Sequence, residues 1–118
     1  MREASRPVPG GSSAKAPTMT DQRVREIDSA FQRVRESAEK AIAGDDAAKD
    51  RSFEEIFALN NEIGRMGRET PGAMPKMREL QGYVNLITVA IKYGRRAELR
   101  EGLAVTEKTI DSLKREQS

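Results

Sequence analysis

The 118-residue chain predicts an all-α fold, a small antiparallel helical bundle of four helices, or of three with a long last helix, behind a disordered N-terminal tail. Three observations carry this expectation. Apolar residues recur at alternating spacings of three and four through successive stretches. Breaks at Gly44, at Thr70-Pro71-Gly72 and at Gly94 separate those stretches. Charged residues make up 34% of the chain and aromatic residues only 4%, a mix that suits amphipathic helices and not a β-sandwich. The length leaves room for one domain and one core.

Residues 1–19 hold three of the five prolines and two of the nine glycines, with Ser and Ala between them. Such a stretch buries too little apolar surface to offset its ordering entropy. It reads as a disordered leader, with Met19 as an alternative start, and residues 20–118 form the bundle domain.

The first helix spans about residues 21–43. Val24, Ile27, Phe31, Val34, Ala38 and Ala41 form an a/d heptad, Thr20 or Asp21 caps its start, and Gly44 supplies a left-handed residue at its end. A second helix over 46–67 follows the acidic pair Asp45-Asp46, with Phe53, Ile56, Phe57, Ile63 and Met66 as its apolar face and Asn60 interrupting it. So short a link forces the two into an antiparallel hairpin. Pro75 suits the first turn of a third helix, along which Met77, Leu80, Val84, Ile87 and Ile91 repeat the pattern. Its flanks, Tyr83, Leu86, Val89 and Ala90, are apolar too, which predicts a central helix touching several neighbours. Leu99, Leu103, Thr106, Ile110 and Leu113 mark the last stretch. Gly94 argues for a break before it, whereas no Ser, Thr, Asp or Asn between Gly94 and Leu99 caps a new helix. Four helices and three with a long last one both remain open, and similar segment lengths favour four.

Composition excludes much chemistry. With no Cys and no His, disulfides, thiol nucleophiles, imidazole acid–base catalysis and Cys- or His-based metal sites are absent. The Cys-free chain fits a reducing cytoplasm. No run reaches the ~18 apolar residues of a membrane span. Segment 45–69 carries seven acids against four bases, but Asp45, Asp46, Asp50, Glu54 and Glu55 lack the spacing and glycine of a calcium loop, so no metal is expected. Gly64, Gly67 and Gly72 follow no strand, which removes the phosphate-loop reading. No cofactor is expected.

Two features bear on function. The heptad of the first helix could be an oligomerisation seam, yet its flanking residues Arg23, Asp28, Ala30, Arg35, Ser37 and Ile42 form no self-pairing charge code, so packing within the chain is the expectation. Lys76, Arg78, Lys92, Arg95 and Arg96 form the one basic cluster, a candidate phosphate or nucleic-acid contact, split between the two ends of the third helix some 25 Å apart. A net charge of +2 adds little steering. An enzyme would need an interior pocket around a residue such as Arg25 or Glu62, and none is indicated. The expected function is therefore non-catalytic. The chain reads as a helical protein–protein interaction module, an adaptor, chaperone-like or self-associating subunit that binds a protein partner or a second copy. Its core or interface comprises Val24, Ile27, Phe31, Val34, Phe53, Ile56, Phe57, Ile63, Leu80, Val84, Ile87, Ile91, Leu103, Ile110 and Leu113. A nucleic-acid-associated bundle using the basic cluster is the alternative.

Overall fold

The computed structural model describes residues 19–117, all of them in four helices and the short connections between them, with no strand among them. The helices are α1 (Met19–Ile42), α2 (Asp46–Glu69), α3 (Met74–Tyr93) and α4 (Arg96–Gln117). A single 3-10 turn over Pro71–Ala73 links α2 to α3. The expected tail, residues 1–18, lies outside the described residues. Because α1 starts at Met19, Thr20 and Asp21 sit inside its first turn and not at the capping position before it.

Both tight turns are built alike. Gly44 and Gly94 take φ values of 111° and 66°, in the left-handed region that costs a side chain with a Cβ about 1–2 kcal/mol. Each lets two amides reach back into the helix it ends. Gly44 and Asp45 donate to Ala41 and Lys40, and Gly94 and Arg95 donate to Ile91 and Ala90. Asp45 then also opens α2, its side chain accepting from the Ala48 amide at 3.0 Å. Arg95 offers no such cap, yet the chain still breaks there, because the Gly94 geometry ends α3 regardless of what starts α4. The long-rod alternative is thereby excluded.

The helices alternate in direction and pack in a ring, α1 on α2, α2 on α3, α3 on α4 and α4 on α1. Along the diagonals α1 and α3 meet only narrowly, and α2 and α4 do not meet. One core runs through the centre, with Phe31, Val34, Leu59, Ile63, Leu80, Ile87 and Ile110 wholly buried. The α2 stripe differs from expectation. Its core side is Ser52, Ile56, Leu59, Ile63 and Met66, while Phe53 is half-buried and Phe57, 69% exposed, is not a core residue. At 100° per residue Phe57 points away from the line through Leu59 and Ile63, so its bulk does not decide its side. Buried Thr106 meets its hydrogen-bonding need within its own helix, donating to the Gly102 carbonyl at 2.7 Å, so it breaks no rule of the apolar interior.

Cross-helix polar contacts set the register. Arg23 donates to Glu69 at 2.7 Å and Ser37 to Glu55, a single antiparallel offset of α1 on α2. Lys114 meets Asp28 at 3.0 Å and Arg35 meets Glu107 at 2.8 Å, a single offset of α1 on α4. Between α3 and α4 the contact is steric: a Cβ on Gly102 would stand 3.0 Å from Ile87 Cγ1.

Two outcomes follow for stability. Phe31→Ala and Ile87→Ala each lower unfolding free energy by about 2–5 kcal/mol in chemical denaturation, through lost burial and a residual cavity. A loss below ~0.5 kcal/mol, the surface range, would place that side chain outside the core. Gly102→Ala destabilises by about 1 kcal/mol, since wholly buried Ile87 cannot yield and overpacking outweighs the gain in helix propensity. Gly82→Ala, with open space around it, stabilises by up to about 1 kcal/mol. Equal effects of the two alanines would show that α4 does not approach α3 as closely as described.

Candidate functional site

The side of α3 turned from the core is the least expected surface of the molecule. Met77, Leu80, Val84, Ile87 and Ile91 face inward, all nearly fully buried. Rotating 100° per residue, the outer side carries Gly82, Leu86, Val89 and Tyr93, again at spacings of four, three and four. Leu86 is 52% exposed, Val89 45% and Tyr93 63%. These three and Phe57 on α2 are the most exposed large apolar side chains among the described residues. The apolar flanks of α3 predict a helix with several neighbours. In the ring α3 has two close ones, α2 and α4, and grazes α1, so the far side stays uncovered.

The surroundings of this stripe are polar. The Lys92 ammonium and the Arg95 guanidinium each stand over the Tyr93 ring, 5.7 and 5.8 Å from its centre. Both are in cation–π range and hold cations at one end of the stripe. Nearer the other end the Tyr83 hydroxyl donates to Glu79 at 2.8 Å. That hydrogen bond, followed by burial and the carboxylate's charge, pushes the Tyr83 phenol above its ordinary value.

The basic residues do not converge. Lys76 and Arg78 lie at the start of α3, and Lys92, Arg95 and Arg96 at its other end. Lys76 is 3.8 Å from Glu79 and Arg95 is 3.7 Å from Glu98, so local acids offset both. Arg96 donates to the Ile42 carbonyl at 3.4 Å, tying the two turns together. Arg100, which sequence reading did not single out, joins Arg96, Glu39 and Ile42 around a recess of about 210 Å³.

The structure brings Arg25 and Glu62 to one place, an open groove of about 550 Å³ between α1 and α2 that Arg33 and Ser29 also line. Arg25 is exposed, so the groove is not an interior pocket. Glu62 Oε1 is buried there without a hydrogen bond, its nearest cation being Arg65 at 3.9 Å. Among the described residues no group of acids is arranged to hold a metal ion, and no helix is long and apolar enough to cross a membrane. Asp45 serves as a helix cap and Glu55 as the acceptor for Ser37.

The Tyr83–Glu79 pair can be read by spectroscopic titration in a Tyr93→Phe background. A bond from the neutral phenol favours the protonated form, so any stability it adds holds at neutral pH and is lost as pH rises past the raised value. Glu79→Gln should move the tyrosinate midpoint down. An unchanged midpoint would mean that the two side chains are not bonded in solution.

No protein family, no curated protein and no solved structure matches this chain.

Proposed function

We propose that the chain is a non-catalytic helical protein–protein interaction module of the cytoplasm, whose contact face is the outer stripe of α3. The observation that carries this reading is the exposure of Leu86, Val89 and Tyr93, three large apolar side chains in helical register on a single helix. Burying such side chains is worth about 1.5–3 kcal/mol each, and adjacent exposed apolar groups rimmed by charge mark contact surfaces. Tyr93 supplies an aromatic anchor of the kind that concentrates binding energy. The 3–4 spacing is the ridge pattern a helix offers to another helix. The cytoplasm suits a chain without cysteine. Whether the module acts as adaptor, chaperone or subunit depends on what it binds.

The test uses the full chain and a Leu86→Glu/Val89→Glu variant. Both changes replace outward side chains, so circular dichroism and thermal midpoint should stay nearly unchanged. The unaltered chain should form a complex of defined stoichiometry in its host extract, with itself or another protein, and the variant should lose it. Absence of any complex, joined to micromolar DNA binding that falls steeply with salt, would favour the nucleic-acid reading instead.

A further inference from the structure

The outer stripe of α3 is complementary to itself when inverted, and we infer that its occupant is a second copy of this chain. The inference rests on the interaction reading above and names the partner and its register. Gly82, Leu86, Val89 and Tyr93, spaced four, three and four, are d, a, d and a positions of one seam. In an antiparallel helix pair each a residue shares a layer with a d residue of the other helix. With a two-fold axis between Ile87 and Thr88, Leu86 of one copy meets Val89 of the other, and Tyr93 meets Gly82.

The sizes fit. Tyr93, the bulkiest residue of the stripe and 63% exposed, is set against Gly82, where even an added Cβ would find nothing within 4 Å. Leu86 and Val89, both about half exposed, fill the central layers on either side of the axis. The same register brings Glu79 of each copy level with the Gly94 turn of the other, where exposed Arg95 stands over the Tyr93 ring. Arg78 and Lys92 fall on the opposite edge, where the like charges of the two copies stay about 7.5 Å apart along the axis and in water. Close packing of Gly67 against Met74 and Met77 fixes α2 against α3 so that exposed Phe57 lies level with the middle of the seam.

A seam of four layers, two of them with a glycine on one side, is small, so the pairing belongs with weak, concentration-dependent dimers that bury less than about 1,200 Å². The heptad on α1, the better match to a coiled coil by sequence, cannot take this role, because the ring buries Val24, Ile27, Phe31 and Val34.

Because the chain has no cysteine, single-cysteine variants report the register directly. Leu86→Cys and Val89→Cys chains are mixed, oxidised and compared with each variant alone, alongside sedimentation of the unaltered chain. The expected result is a dimer in sedimentation and a mixed 86–89 disulfide that clearly exceeds 86–86 and 89–89. Gly82→Lys, on the outer face and with room around it, should weaken the dimer by about tenfold or more without lowering the thermal midpoint. A pure chain that stays monomeric at ~100 µM overturns the inference, and so does a mixed disulfide no more abundant than the others. If the monomer binds a different host protein through Leu86 and Val89, self-pairing fails while the interaction reading stands. If the double-glutamate variant changes no assembly at all, both fail.

Discussion

Everything in this bundle is referred to the burial of α1. Its apolar stripe, Val24 through Ala38, lies against both α2 and α4, and the polar residues bordering that stripe are divided between them. Arg23 and Ser37 meet α2, whereas Asp28 and Arg35 meet α4. Surface ion pairs contribute little stability, typically below about 1 kcal/mol. Their effect here is positional. A slip of one turn on either side would separate every pair at once and move Phe31 off the core axis, so burial supplies the driving force and the charges select one register.

With α1 held between two neighbours, α3 is left opposite it and makes only narrow contact with it. The close approach at Gly102 draws α4 against the inner side of α3 and covers Ile87, but leaves Leu86 half exposed. A ring of four gives each helix two close neighbours, enough to cover one apolar stripe. α3 carries two stripes. The second, ending at Tyr93 between Lys92 and Arg95, is therefore the part of the sequence that the fold does not use. An apolar face left in water carries a solvation cost that a partner seated on it would relieve.

The flanking residues of α1 show how one pattern can be read two ways. Arg23, Asp28, Arg35 and Ser37 make no code if α1 pairs with a copy of itself. They make a complete one once α2 and α4 are their partners, because the acids and the lysine they meet, Glu69, Glu55, Glu107 and Lys114, lie 18 to 86 residues further along the chain. No local pattern links such positions.

Sequence alone determined the helical stretches and the break at Gly44, because both rest on local physics, apolar spacing and a glycine able to take positive φ. It left the break at Gly94 open, since no capping residue follows that glycine, and the structure decided it. Sequence determined most of the core as well, from Phe31 to Ile110, since a stripe on an amphipathic helix must be buried by something. Tertiary structure decided which neighbour buries which stripe. It turned Phe57 outward and Leu59 inward, a choice set by helical phase relative to α1 and α3 and not by hydrophobicity, which both residues share. It also left Leu86, Val89 and Tyr93 on the surface, because a helix presents its faces by rotation alone, and only the number and placement of its neighbours settles which of them meets water.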